Sequence, residues 1–365
     1  MEEYLKKAKR VVVKIGSQIL EKEGSIDTDF LKNLSENIKV LENKDILIVS
    51  SGAVLAGSKK LGLRQKPKSI TEKQAVASVG QAYLMQIYDR IFSEKGLIVG
   101  QVLLTVEGLR ERKRYILAQN TLNKLVDMGV IPVINENDTI AVEEIVFGDN
   151  DFLAAHVSVL TNADLLIILS TAGGVYTGDP KQENSKLLKE IKSIDDVLRY
   201  ARASTSKFGT GGMRSKLEAA KIAVSHRIPV VIAPKKEDIL LKIIRGNLEG
   251  SFIYPEKGEK LSRKKSWLKL LSAPKGRIII DKGAEKALRS GKSLLPAGIK
   301  DVEGIFYKND VVAIVNEEGN IIGKGIVNFN YRDLKKIKGR RSSDVEKTLG
   351  IKFKEVVHRD NLVVF

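Results

Sequence analysis

Short apolar runs alternate with longer amphipathic segments over the first two thirds of the chain. The runs at 11–15, 130–134 and 165–169 are almost entirely apolar and do not alternate with polar residues. Such strands are typical of a parallel sheet that is covered on both faces. Segments such as 27–43 and 71–92 place apolar residues at helical spacing. The pattern predicts an α/β fold, a three-layer αβα sandwich with a mainly parallel central sheet.

The pattern changes after Pro255, where the chain becomes rich in lysine. Beyond that stretch, short strand patterns such as 311–315 are separated by Gly, Asn and Asp, which indicates a small β-rich domain. We therefore expect a first domain at 1–256, a linker at 257–274 and a second domain at 275–365.

Polar residues follow the apolar run at 130–134. Asn135, Glu136, Asn137 and Asp138 come directly after it, and Gly148, Asp149, Asn150 and Asp151 follow ten residues later. Carboxylates and carboxamides at the carboxyl end of a buried strand are how open α/β sheets build ligand sites. These carboxylates could bind Mg²⁺, orient a lysine or hold an amino group, whereas turn and helix-cap chemistry is the alternative. Two clusters after one strand favour a functional interpretation.

Two lysines lie near glycines at strand or helix ends. Lys14 comes two residues before Gly16, and Lys216 follows the glycine-rich stretch 209–212. Phosphoryl transfer needs positive charge around the transferring oxygens and little else from the protein. The glycines match neither common phosphate-loop pattern, so the residues alone leave both lysines as ordinary members of the 62 Lys and Arg.

Composition excludes several classes of protein. Apolar residues make up 43% of the chain and charged residues 29%, which is normal for a globular protein. No apolar run approaches the length of a membrane span and no address signal begins the chain, so we expect a cytoplasmic protein. Because there is no cysteine, disulfides, thiol catalysis and Cys-based zinc sites are excluded. Three scattered histidines disfavour a His-based metal site.

The net charge of +17 is concentrated in the last third of the chain. Residues 256–365 contain 25 Lys and Arg against 14 Asp and Glu. A polyanionic partner such as RNA is one explanation. A lysine-rich solvated surface, as in many thermophile proteins, is the other, and charge alone favours it.

Six short segments stand out along the chain, and they are VKIGS at 13–17, SSGAV at 50–54, KQA at 73–75 with VGQ at 79–81, VINEND at 133–138, GDND at 148–151 and GTGGM at 209–213. In this order they resemble the amino acid kinase family, and within it the glutamate 5-kinases. Each motif is weak alone, but the shared order is specific and covers nearly the whole chain. The C-terminal segment SLLPAGI at 293–299 is similar to the PUA domain that many of these kinases carry.

The resemblance implies ATP-dependent phosphorylation of the γ-carboxylate of L-glutamate, the first step of proline biosynthesis. It also implies Mg²⁺ held mainly through the ATP phosphates, feedback inhibition by proline, and a homo-oligomer. A carboxylate with a pKa of about 4.3 is already nucleophilic at pH 7, so the reaction needs no general base. Another family member that acts on aspartate, acetylglutamate or UMP is one alternative. RNA binding through the PUA-like domain is another.

By position, the resemblance also assigns roles to single residues. Catalysis would fall to Lys14, Lys216 and Asp151, with Asp151 holding the two lysines in place. Glutamate would be bound by Ser51, Gly52, Asn135, Asp138, Asp149 and Asn150. ATP would be bound by Lys14, Gly16, Ser170, Thr171, Thr210, Gly211, Gly212, Met213 and Lys216. The loop at 170–174 departs from the family pattern because Ala172 stands where an Asp is usual.

Overall fold

The protein forms two compact units in a computed structural model. The structure describes residues 1–141, 150–203, 212–258, 262–351 and 355–365. The first unit contains Met1–Leu109 and Arg114–Lys260, and the second contains Arg110–Lys113 and Leu261–Phe365. None of the described helices is long and apolar enough to cross a membrane.

The first part of the chain contains short strands between helices of very different lengths. The strands are β1 (Arg10–Ile15), β2 (Glu21–Lys22), β3 (Ser25–Ile26), β4 (Asp45–Ser50), β5 (Ile98–Leu104), β6 (Val130–Glu136), β7 (Leu165–Leu169), β8 (Glu190–Ile191), β9 (Val230–Ala233) and β10 (Ser251–Ile253). The helices are α1 (Glu2–Lys7), α2 (Ser17–Leu20), α3 (Thr28–Val40), α4 (Ala53–Lys60), α5 (Ile70–Ser93), α6 (Val106–Arg110), α7 (Arg112–Asp127), α8 (Asp151–Thr161), α9 (Ile194–Ala203), α10 (Met213–Ser225) and α11 (Ile239–Ile244).

Eight of these strands form one sheet in the order β5-β6-β4-β1-β7-β9-β10-β8. All neighbours are parallel except β9 and β10, and the central strands are buried along nearly their whole length. Helices cover both faces, which explains why apolar runs rather than alternating patterns mark the strands. The predicted α/β sandwich is confirmed. Its parallel strands bring the segments after β1, β4, β6 and β7 to one edge of the sheet.

Helices α4 and α5 approach each other closely at two glycines. A Cβ on Gly57 would overlap the carbonyl oxygen of Val76, and a Cβ on Gly80 would overlap that of Ala53. Because neither glycine carries a side chain, the two backbones can meet directly. This contact fixes α5 against the helix that follows β4, and so fixes Gln81 beside the carboxyl ends of the strands.

The second unit is β-rich, as predicted. Its strands are β11 (Gly276–Ile280), β12 (Ile299–Gly304), β13 (Val311–Val315), β14 (Ile321–Ile326) and β15 (Leu362–Val364), in the sheet order β12-β11-β13-β14-β15. Its helices are α12 (Arg263–Leu270), α13 (Lys282–Arg289), α14 (Tyr331–Ile337) and α15 (Ser342–Leu349), with 3₁₀ turns at Pro296–Gly298 and Arg359–Asn361. Its core contains Ile278, Phe306, Ile314, Val327 and Leu334.

The residues expected to form a linker contain a helix. Within 257–274, α12 begins after Ser262, whose hydroxyl oxygen accepts a hydrogen bond from the backbone N–H of Lys265. Trp267 and Leu268 of this helix are buried. Lys264, Lys265 and Lys269 of this helix are half-buried, so part of the lysine-rich segment is a packed helix rather than an extended connection.

Candidate active site

Two lysines and one aspartate form a buried group of charges at the carboxyl edge of the sheet, which we call the lysine cluster. Asp151 accepts an ion pair from Lys14 on one oxygen at 2.7 Å and from Lys216 on the other at 3.0 Å. The side chains of Lys14, Asp151 and Lys216 are 1%, 0% and 9% exposed. Two ammonium groups from different parts of the chain therefore meet at one buried carboxylate.

Three separate elements deliver these side chains. Lys14 lies at the end of β1, and Gly16 leaves room for it, because a Cβ there would lie 3.2 Å from the lysine nitrogen. Asp151 is the first residue of α8, where the helix dipole favours a negative charge. Lys216 lies in the first turn of α10, and the hydroxyl of the preceding Ser215 donates to Asp151 at 3.1 Å. The cluster therefore joins one strand to the first turns of two helices.

A chain of three side-chain amides lies next to the lysine cluster, and we call Asn150, Asn135 and Gln81 the amide chain. The Asn150 nitrogen donates to the Ser50 carbonyl at 2.9 Å and to the Asn135 side-chain oxygen at 2.6 Å. The same Asn135 oxygen accepts from the backbone N–H of Glu136 at 2.9 Å. The Asn135 nitrogen donates to the Gln81 oxygen at 2.7 Å. This chain links α8, β4, β6 and α5.

A buried tyrosine on α5 contacts the end of β4 and stabilises the turn that follows it. The Tyr88 hydroxyl lies 2.9 Å from the Ser50 hydroxyl, which donates to the Ser51 carbonyl at 2.9 Å. Burial raises the pKa of Tyr88, so its hydroxyl stays protonated at neutral pH. Gly52 then adopts a φ of +106° and has Leu20 packed beside it, which suits a residue without a side chain. The Ser51–Gly52 peptide therefore leaves the sheet in a fixed direction.

The segments after β1 and β7 lie side by side, because these two strands end in register. Gly16 therefore lies near Ser170 and Thr171 at the same sheet edge. The Ser170 hydroxyl accepts from the backbone N–H of Ala172 at 3.3 Å, which closes a tight turn after the strand. This turn forms even though Ala172 replaces the usual Asp.

The structure places the remaining predicted residues as follows. Asp138 is half-buried in the turn after β6, and Gly212 and Met213 begin α10. Asp149, Thr210 and Gly211 lie outside the described residues. Over the described ranges, no group of three or more His, Asp or Glu side chains is placed to hold a metal ion.

The geometry thus brings two sets of predicted residues into direct contact, Lys14 with Asp151 and Lys216, and Asn135 with Asn150. It also adds three residues to which the sequence analysis gave no role: Gln81, Tyr88 and Ser215. Gln81 belongs to the VGQ segment, and Ser215 directly precedes Lys216. Their position next to predicted site residues was therefore the sequence signal that could have identified them. Nothing in its sequence context distinguishes Tyr88 from an ordinary core residue.

Comparison with known proteins gives consistent matches along the chain. The model of the amino acid kinase family matches residues 9–234, and the model of the PUA domain matches residues 276–349. A glutamate 5-kinase of Aquifex aeolicus is 52% identical, over 98% of this chain and 99% of that protein. The glutamate 5-kinases of Carboxydothermus hydrogenoformans and Thermus thermophilus are 47% and 43% identical, over at least 97% of each chain.

Proposed function

Because the chain belongs to the amino acid kinase family and ends in a PUA domain, we propose that it transfers the γ-phosphoryl group of ATP to the γ-carboxylate of L-glutamate. The product is L-glutamyl 5-phosphate. The observation that carries this proposal is the lysine cluster, a buried site where three elements bring two ammonium groups to one carboxylate. The full-length glutamate 5-kinase relatives support glutamate as the acceptor.

The reaction places two anions against each other, and the lysines offset their repulsion. A γ-carboxylate oxygen of glutamate bonds to the γ-phosphorus, and the bond from that phosphorus to the β–γ bridging oxygen breaks, which releases ADP. No proton has to move, since the carboxylate is ionised at pH 7. Lys14 and Lys216 stabilise the charge on the transferring oxygens. Asp151 is a positioning residue that holds both ammonium groups, not a base.

Glutamate would lie along the amide chain, with its reacting carboxylate toward the lysine cluster. The Asn150 NH₂ group already uses both hydrogens, so this side chain can offer the substrate only its carbonyl oxygen. A carbonyl oxygen accepts from an ammonium group, and Asp138 would complete the amino-group site. Ser51 and Gly52 would contribute from the turn after β4, together with Asn135 and Asp149.

ATP would lie on the other side of the lysine cluster. Gly16, Ser170 and Thr171 leave neighbouring strands there, and the start of α10 offers Gly212, Met213 and the N-terminus of a 13-residue helix. Thr210 and Gly211 would extend this site. Backbone N–H groups at a helix start favour phosphate.

Mg²⁺ would be held mainly by the ATP phosphates and water. The one carboxylate of the lysine cluster already pairs with two lysines, which leaves it poorly suited to hold a metal ion. Mg²⁺ commonly relies on substrate phosphates rather than on a cage of protein ligands. When bound, it would further neutralise the charge of the phosphates.

Four further expectations belong to the same proposal. They are a place in proline biosynthesis, inhibition by proline, assembly into a homo-oligomer and a cytoplasmic location. The domain limits 1–256 and 275–365, joined by residues 257–274, also stay predictions.

An ADP-release assay tests the function. We expect Mg²⁺- and glutamate-dependent release of ADP, which proline should reduce. Lys14→Met and Lys216→Met should each lower kcat by about 100-fold or more. Lys32→Met is the matched control, because Lys32 is exposed on α3. Activity with aspartate, acetylglutamate or UMP but not with glutamate would contradict the proposal.

RNA binding by the PUA domain is the second candidate function. The basic excess of residues 256–365 favours it. Binding driven by phosphate contacts weakens steeply with salt. Filter binding of the intact protein to a structured RNA over a salt series should show this slope, and no retention at low salt would remove the candidate.

A further inference from the structure

One donor at the end of the amide chain has no acceptor in the described part of the protein. The Gln81 side-chain oxygen accepts from Asn135, but its nitrogen is buried and has no hydrogen-bond partner among the residues that the structure describes. A buried donor without an acceptor destabilises the folded protein, because it has given up its hydrogen bonds to water. Such groups are rare in folded proteins and call for a physical explanation.

Rotating the Gln81 amide does not remove the problem, because backbone groups fix the direction of the whole chain. The Ser50 carbonyl can only accept, so the Asn150 side chain must direct its nitrogen there. The Glu136 backbone N–H can only donate, so the Asn135 side chain must direct its oxygen there. The Asn135 nitrogen therefore faces Gln81, and the Gln81 side-chain oxygen must accept its hydrogen bond. The Gln81 oxygen is thus used within the amide chain, and the Gln81 NH₂ group can make no hydrogen bond in it.

The order of the chain says which part of a ligand lies at Gln81. Asp151 of the lysine cluster follows Asn150 directly in sequence, and Asn135 lies between Asn150 and Gln81. Counted along these hydrogen bonds, the amide of Gln81 is therefore the member of the chain farthest from Asp151. A substrate that reacts at the lysines must direct its other end toward Gln81. An NH₂ donor in that place suits a carboxylate oxygen.

We propose that the Gln81 NH₂ group donates a hydrogen bond to the α-carboxylate of the amino acid substrate and so determines its specificity. This inference rests on the proposed function. Gln81 thus binds the unreactive end of the substrate while the lysine cluster binds the reacting carboxylate. The contact is absent from the free protein, which accounts for the unpaired donor.

The variant Gln81→Glu tests this contact, because it keeps the oxygen that Asn135 needs and replaces the donor with a second oxygen. We expect the KM for glutamate to rise about 10- to 100-fold, from the lost hydrogen bond and the like charge. The KM for ATP should change less than about twofold. Gln86→Glu is the matched control, since Gln86 is exposed on the same helix, α5. A nearly isosteric variant, Gln81→Met, should also raise the KM for glutamate without adding charge.

A change of substrate separates binding from a merely structural effect. Glutamate α-amide carries a donor where glutamate carries the α-carboxylate. Wild type should prefer glutamate, and Gln81→Glu should shift the ratio of kcat/KM values toward the α-amide by at least about tenfold. An unchanged KM for glutamate in both Gln81 variants would overturn the inference while the proposed function stands. Equal rises in the KM for glutamate and ATP, with no shift in the substrate ratio, would also overturn it. Failure of the wild type to use glutamate would refute the proposed function itself.

Discussion

Asp151 pairs with two lysines inside the protein. Its replacement should therefore lower the unfolding free energy far more than replacement of either lysine. In Asp151→Asn, two buried ammonium groups lose the carboxylate that both of them contact. In Lys14→Met, Lys216 and Asp151 keep their ion pair at 3.0 Å. The methionine also fills most of the space of a side chain that is only 1% exposed.

The burial of both lysines determines how much unfolding free energy each variant loses. Removing one partner of a buried ion pair costs about 3–5 kcal/mol, because the other charge stays buried without compensation. We expect a loss of this size for Asp151→Asn and less than about 2 kcal/mol for Lys14→Met. For a domain of this size, 1 kcal/mol lowers the melting temperature by about 2–4 °C. Asp151→Asn should therefore melt about 6–20 °C below wild type.

Far-UV circular dichroism during heating measures these shifts. The chain has one tryptophan, Trp267, and it is buried in the second unit, so its fluorescence follows that unit separately. The fluorescence transition should move less than the dichroism transition in both variants. If Asp151→Asn melts as high as Lys14→Met, loss of the shared carboxylate costs no more than loss of one lysine, and the electrostatic reasoning about this site is refuted.

Two further predictions concern the scaffold around the site. Gly80→Ala should lower the unfolding free energy by about 3 kcal/mol, because its new methyl group overlaps the backbone of α4. Gly178→Ala is the control, because the nearest atoms to its new methyl group lie 3.9 Å away. In thermal melts followed by circular dichroism, it should change the unfolding free energy by less than about 0.5 kcal/mol. Asp27 is buried, which by itself raises its pKa, but Lys235 and the Phe30 N–H outweigh burial and lower it. The unfolding free energy of Asp27→Asn should be about 1–2 kcal/mol below that of wild type at pH 7, and this gap should narrow as pH falls below about 4, because wild type then loses the same charge.

The fold could be predicted from the sequence because its signal is local. Strands such as β1 and β7 are buried on both faces, so nearly every residue in them is apolar. The parallel arrangement also predicts that segments after neighbouring strands meet at one edge. For this reason Lys14, near the end of β1, and Asn135, near the end of β6, could be expected at the same edge of the sheet, with β4 between the two strands.

The lateral contacts of the site could not be predicted in this way. The spacing of apolar residues shows which face of α5 is buried, but not that Gln81 meets Asn135 on β6. That contact depends on how closely α4 and α5 approach each other. The close approach is possible only because Gly57 and Gly80, which lie on different helices, have no side chains. The helix α12 was not predicted for a different reason, because lysines precede and follow its short buried stripe of Trp267 and Leu268 in the sequence.

Two consecutive residues, Asn150 and Asp151, connect the amide chain to the lysine cluster, and under the proposed function their adjacency would let the site recognise glutamate at both ends. Asn150 comes directly before α8 and is held by Ser50 and Asn135, whereas Asp151 is the first residue of the helix and is held by the two lysines. The backbone between them therefore sets the distance from the amide chain to the lysine cluster. An acceptor of a different length could satisfy one group only by leaving the other unpaired. Since an unpaired buried polar group costs about 1–3 kcal/mol, this spacing alone would discriminate against a shorter amino acid such as aspartate by about 5- to 150-fold.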